Sequence, residues 1–83
     1  MTTQMELRVP AQGDGIESCL LTEWLVEVGE EVAEGNPVYV IETVKGMFEI
    51  DSPATGRLIE RKTEAGEEVP IQFLVGILEI QSP

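Results

Sequence analysis

The sequence contains no histidine and only one cysteine, Cys19, among its 83 residues. The first absence removes the imidazole base on which serine and cysteine nucleophiles depend. Together they leave no Cys/His cluster with metal-ligand spacing. A single thiol cannot build a disulfide framework and fits a reducing compartment; flanked by apolar residues, Cys19 reads as inert core. Basic residues are also scarce, five against sixteen acids, for a net charge of −11. Such a balance repels phosphate backbones and argues against nucleic-acid binding, while favouring solubility and an approach to basic partners. No window reaches the roughly 18 uninterrupted apolar residues of a membrane span. The start, Met1-Thr2-Thr3-Gln4-Met5, lacks the basic and apolar regions of a signal peptide, so a soluble intracellular chain is expected. No glycine-rich stretch matches a nucleotide fingerprint. A chain this short withdraws only about 60% of its unfolded surface from water, enough for one thin core but not for a deep cleft. An acid pair such as Glu42 with Asp51 has nothing to position it, and independent catalysis is not expected.

What the chain does have is an internal repeat. At an offset of 37 residues, Leu21, Glu23, Glu27, Gly29, Glu30, Glu31 and Val32 recur as Leu58, Glu60, Glu64, Gly66, Glu67, Glu68 and Val69. Further out, Asp14 matches Asp51, Val38 matches Val75, and Glu42 matches Glu79. Two similar halves packed face to face, each covering what the other leaves exposed, account for such a pattern within one domain, residues 1–83 with a core over about 5–80.

The halves read as β. Pro37–Thr43 and Gly76–Ile80 are apolar, β-rich runs, and Met47–Asp51 is a short strand candidate bounded by Ser52-Pro53. Turn chemistry punctuates them at Gln12–Gly15, Glu34–Pro37, Ser52–Gly56 and Ala65–Glu67. Ile16, Leu20, Trp24, Leu25 and Val28 do fall at helical spacing. The repeat partner of that segment, Arg57–Thr63, has no such stripe, so strand is expected in both. Short strands with regular punctuation predict a small sandwich or flattened barrel.

Between the runs ending at Thr43 and beginning at Met47 lie Val44, Lys45 and Gly46. Three-residue hairpin loops commonly close on a glycine in a left-handed conformation, which gives Gly46 that position and projects Lys45 from the edge of the domain. The repeat places the equivalent of this tip beside the two chain ends. Exposed hairpin lysines are usually only solvating, but this chain has just two lysines. The other, Lys62, has no turn signal around it.

The sequence resembles the lipoyl domains of 2-oxo acid dehydrogenase acyltransferases from about Val9 to Ile80. The resemblance rests on Glu23-Trp24-Leu25-Val26 with Val28-Gly29-Glu30-Glu31-Val32, on Ile41-Glu42-Thr43-Val44-Lys45-Gly46, and on Glu49-Ile50-Asp51-Ser52-Pro53-Ala54-Thr55-Gly56. It implies an all-β, flattened barrel or sandwich of two four-stranded antiparallel sheets with pseudo-twofold symmetry. It also implies lipoic acid in amide linkage on Lys45, with Thr43, Val44 and Gly46 as the attachment turn. The implied partners are a lipoyl ligase or transferase, a thiamine-diphosphate 2-oxo acid dehydrogenase that acylates the carrier, an acyltransferase core that passes the acyl group to coenzyme A, and a flavin dihydrolipoyl dehydrogenase. Such a carrier is itself non-catalytic and monomeric when isolated. It resides in the bacterial cytoplasm, or in the mitochondrial matrix of a eukaryote.

Two features set this chain apart. Lipoyl domains usually carry an acid before the lysine and often alanine after it, where Val44 and Gly46 stand here. Biotin carriers flank their lysine with methionines, and Met47 lies two residues on, so biotin is the alternative cofactor; an unmodified interaction module is the other alternative. Thr43 and the Ser52–Gly56 segment are lipoyl-like. The resemblance further implies that the loop Gln12-Gly13-Asp14-Gly15 lies near the lysine and helps the dehydrogenase recognise its carrier, although the same residues read equally as an ordinary turn. Glu42 and Met47 are further recognition candidates, with Met47 and Phe48 either packing under the hairpin or meeting the ligase.

Overall fold

The computed structural model describes residues 2–13 and 15–81. Eight strands follow one another: β1 (Thr2–Arg8), β2 (Ser18–Trp24), β3 (Glu31–Val32), β4 (Pro37–Thr43), β5 (Gly46–Asp51), β6 (Gly56–Arg61), β7 (Glu68–Pro70) and β8 (Leu74–Gln81). They form two four-stranded antiparallel sheets, ordered β1-β8-β6-β3 and β5-β4-β2-β7. Because the two sheets stay separate, the architecture is a sandwich rather than a closed barrel. Pro37 opens β4 and Pro70 lies on the edge strand β7, positions where a missing N–H is tolerated.

The repeat appears in space as it does in sequence. Adding 37 converts β2 into β6, β3 into β7 and β4 into β8, and these strands hold matching places in the two sheet orders. The β2–β4 ladder shifts register between Leu21 and Glu23, the β6–β8 ladder between Leu58 and Glu60. Each half also bonds the other reciprocally. The Gly29 N–H donates to the Leu58 carbonyl and the Gly66 N–H to the Leu21 carbonyl, both at 2.7 Å. The fourth strands do not match by sequence. β5 pairs with β4 through a tight turn, whereas β1 reaches the same place beside β8 from the other end of the chain.

Inward residues from both sheets make one core: Leu7, Val9, Cys19, Leu21, Val32, Val38, Tyr39, Ile41, Leu58, Val69, Val75 and Leu78 among them. The helical spacing noted over 16–28 is not used. Cys19 and Leu21 alternate inward along β2 and Val26 is buried beyond it, whereas Leu25 and Val28 are exposed. Pairing with β4 and β7 on both sides fixes a period of two.

Symmetry breaks where Trp24 and Tyr39, opposite each other on β2 and β4, are replaced by Arg61 and Gly76 on β6 and β8. Gly76 leaves room for the indole: a Cβ there would stand 3.2 Å from the Trp24 ring and 2.9 Å from the Glu60 carbonyl oxygen. Trp24 packs 5.3 Å from the Tyr39 ring, donates from Nε1 to the Thr63 carbonyl at 2.8 Å, and carries the Arg61 guanidinium 5.9 Å above it. The halves are thereby joined by one aromatic side chain.

Thr63 stands at the position of Val26, fully buried, with its Oγ1 unpartnered. An unmet buried hydroxyl costs about 1–3 kcal/mol. Thr63→Val is therefore expected to stabilise the domain by about 1 kcal/mol, read as a higher urea midpoint at unchanged slope; an unchanged or lower midpoint would refute it.

Two buried acids weigh on stability at high pH. Burial pushes the Cys19 thiol above its ordinary value of 9.0, with the Glu68 carboxylate adding to the effect. Burial likewise raises the Tyr39 phenol above 10.0, with Cys19 adding, and its hydroxyl has no partner. Both groups hold their protons more tightly when folded, so their stabilisation is complete below the unfolded values and is lost as pH rises towards the folded ones. Unfolding temperature should fall from about pH 9 upward, and Cys19→Ala with Tyr39→Phe should flatten that fall. A slope unchanged in the double variant would place its cause elsewhere.

Candidate functional site

β4 and β5 are joined at Thr43 and Gly46, which pair directly. The connection is thus two residues, Val44 and Lys45, one shorter than the sequence suggests, because Gly46 already belongs to the ladder. Gly46 takes φ +135°, the conformation for which a glycine is expected in this turn. Thr43 holds the turn from the side: its Oγ1 accepts from the Lys45 N–H at 3.1 Å and donates to the Gly46 carbonyl at 3.4 Å.

Lys45 is exposed at the apex. Among the described residues, the other four bases are all engaged. Arg8 pairs with Glu6 at 2.9 Å, Arg57 with Glu31 at 3.0 Å and Lys62 with Glu60 at 2.8 Å, while Arg61 lies over Trp24. Lys45 alone has no such partner. Beside it Val44 is 95% exposed and Met47 62%, and Phe48 is 40% exposed one residue further along β5. This is an apolar collar on a strongly acidic chain. Glu42 is exposed opposite Met47, so the two flank the turn on neighbouring strands.

The loop between β1 and β2 comes alongside. The Lys45 Nζ lies 3.5 Å from where a Gly13 Cβ would be, and Gly13 has φ +114°. Gln12 turns back on its own loop, donating from Nε2 to the Pro10 carbonyl at 2.9 Å and the Ala11 carbonyl at 3.3 Å. Gly15 is exposed, with φ +83°. Asp14 lies outside the described residues. Nothing in the sequence spacing links residue 13 to residue 45, and only the family resemblance anticipated their approach. The acid pair Glu42 and Asp51 is kept apart: Asp51 pairs with Pro37, five residues down β4 from Glu42, a separation of about 16 Å.

The outer ends of β1 and β8 lie far from the lysine. Thr2 shares a surface hollow with Ala33, Asn36 and Thr55, beside the turn from which β4 departs, and Thr2 pairs with Gln81. From there β4 runs seven residues to Thr43, about 20 Å. One end of the sandwich thus presents the exposed Lys45, and the other holds the outer ends of β1 and β8 at Thr2 and Gln81.

A β-sandwich that displays, among its described residues, one unpaired lysine on a hairpin held by Thr43 has the form of a carrier-type domain. Residues 5–78 match the biotin/lipoyl family model, described as biotin-requiring enzyme, and the chain belongs to that family. It is 35% identical over 79 residues, 95% of its own length, to the dihydrolipoyllysine-residue succinyltransferase component of the 2-oxoglutarate dehydrogenase complex of Bartonella vinsonii subsp. berkhoffii. Over 65 residues, 78% of the chain, it is 34% identical to the lipoamide acyltransferase component of the branched-chain alpha-keto acid dehydrogenase complex of Pseudomonas putida. It spans only 19% and 15% of those proteins. The lipoyl domain of the 2-oxoglutarate dehydrogenase complex of Azotobacter vinelandii superposes with a TM-score of 0.72 at 26% identity, covering 88% of this chain and 92% of that domain. A single-chain, multi-domain long-chain acyl-CoA carboxylase shares the fold at TM-score 0.77 and 18% identity, over 95% of this chain and 7% of the other. The fold is therefore that of a lipoyl domain.

Proposed function

We propose that this chain is a lipoyl carrier domain in which Lys45 takes lipoic acid in amide linkage and serves a 2-oxo acid dehydrogenase complex. One observation carries the assignment: among the described residues, Lys45 is the only base without an ion pair or ring contact, and it stands exposed on a turn tied by Thr43. The residues fit such a group. Nζ lies 3.5 Å from where a Gly13 Cβ would stand, so the missing side chain leaves room beside it, and the exposed Val44 and Met47 side chains offer apolar surface to an aliphatic stem. When bound, the group supplies a dithiolane able to accept and release acyl groups.

The chain's own part is positional. The sandwich fixes the attachment point and the turn orients the lysine stem. Thr2 and Gln81 lie at the far end, so a domain tethered through β1 or β8 would point Lys45 away from its linkers. Among the described residues Lys45 joins no ion pair, and removal of its proton is assigned to the attaching enzyme. The relatives by name are acyltransferase components of larger proteins. They support, as partners, a lipoyl ligase or transferase, a thiamine-diphosphate 2-oxo acid dehydrogenase, an acyltransferase core and a flavin dihydrolipoyl dehydrogenase. Gly13 beside Lys45, with Gln12 and Gly15 in the same loop and Glu42 and Met47 on the strands flanking the turn, are the residues such partners would meet. The buried free thiol of Cys19 fits a reducing compartment, the bacterial cytoplasm or mitochondrial matrix.

Intact mass after incubation with a lipoate–protein ligase, lipoate and ATP tests the reading, with a biotin–protein ligase and biotin run in parallel. One added lipoyl group supports it. A biotinyl group alone would turn the assignment towards carboxylases, and no addition from either enzyme would leave an interaction module.

A further inference from the structure

We infer that the Thr43 hydroxyl is a positioning group for the attachment reaction, holding the Lys45 turn in the shape the attaching enzyme reads. The inference rests on the carrier reading above and deepens it.

Two-residue hairpin turns are usually stabilised by their own central residues, through glycine or through Asn, Asp and Ser side chains that bond the neighbouring backbone. Here the central pair is Val44 and Lys45, neither of which can supply such a bond. Val44 is 95% exposed and gains nothing from packing. The turn's polar groups are met instead from the preceding residue. The half-buried Thr43 hydroxyl accepts from the Lys45 N–H at 3.1 Å and reaches the Gly46 carbonyl at 3.4 Å. A single hydroxyl therefore spans the backbone on both sides of the Lys45 Cα. Thr43 sits at the last position of β4, paired to Gly46, so the sheet fixes the hydroxyl and the hydroxyl fixes the turn.

The consequence is specific. If the enzyme binds only the clamped turn, its apparent affinity falls by the fraction of domain that keeps that shape. Loss of the hydroxyl then raises KM and leaves kcat alone, because the amine, once bound, is unchanged. One neutral hydrogen bond of ordinary net strength corresponds to between about two- and tenfold.

The test is steady-state lipoylation by a purified lipoate–protein ligase, with wild type, Thr43→Val and Thr43→Ser as varied substrates. Hydrogen exchange at the Lys45 amide is followed in each. Thr43→Val keeps the β-branched shape and removes the hydroxyl. It is expected to raise KM between about two- and tenfold at unchanged kcat and to lose protection at the Lys45 amide. Thr43→Ser should restore both. A Thr43→Val domain with wild-type KM, a lowered kcat at constant KM, or a serine variant as impaired as the valine one would each overturn the inference. Wild type that no ligase labels would overturn the carrier reading instead, and amide exchange would still decide whether the clamp exists.

Discussion

Lys45→Arg is expected to abolish ligase-dependent mass addition completely while leaving unfolding unchanged. Arginine keeps the charge and roughly the length of the side chain, but its guanidinium stays protonated and does not serve as an acyl acceptor. Stability should stay within about 0.5 kcal/mol of wild type, as for surface changes away from packed or paired groups. Lys45 is exposed and, among the described residues, joins no ion pair. The chain supplies its own control. Lys62, the only other lysine, is tied to Glu60 at 2.8 Å, and Lys62→Arg should be labelled at the wild-type rate. A Lys45→Arg domain that still gains one lipoyl group would move the attachment point and remove the central claim about the turn.

Much of this site is legible in the chain because its members are consecutive. Thr43, Val44, Lys45 and Gly46 stand between two strand-like runs, and the glycine marks the end of the turn by its backbone freedom. The loop length is less legible, since it depends on whether Gly46 pairs with Thr43, and that is decided by the ladder. The Thr43 hydroxyl is harder still to read. In sequence it is a β-branched residue ending a strand; only geometry shows its oxygen turned towards the Lys45 N–H. The approach of Gly13 to the Lys45 Nζ is a contact across 32 residues, and no local pattern encodes it. The same division holds for the fold. β4 and β5 carry enough apolar residues to declare themselves, whereas β3 and β7, of two and three residues, are too short to show any period. The repeat partly makes up for that, since Val32 and Val69 are matched across it and prove equally buried.

Leu21→Ala and Leu58→Ala should destabilise the domain by nearly equal amounts, about 2–5 kcal/mol each. Both side chains are 0% exposed in the shared core. Both precede the matching register shifts of β2 and β6, and each accepts and donates the same reciprocal backbone bonds with the opposite half. A domain of this length is stable by about 4–12 kcal/mol, so either loss removes a large share. It should lower the unfolding midpoint by about 8 °C or more, at about 4–8 °C per kcal/mol. Val44→Ala, 95% exposed, should change stability by less than about 0.5 kcal/mol and separates packing from presentation. Equal penalties at Leu21 and Leu58 would mean that the 37-residue repeat is energetic as well as geometric. A penalty at one leucine more than about 2 kcal/mol above that at the other, beyond the usual spread for leucine truncations, would mean that one half folds as the scaffold on which the other is laid. The half containing Trp24 and Tyr39 would then be the first candidate, since it alone packs an aromatic pair against its partner's glycine.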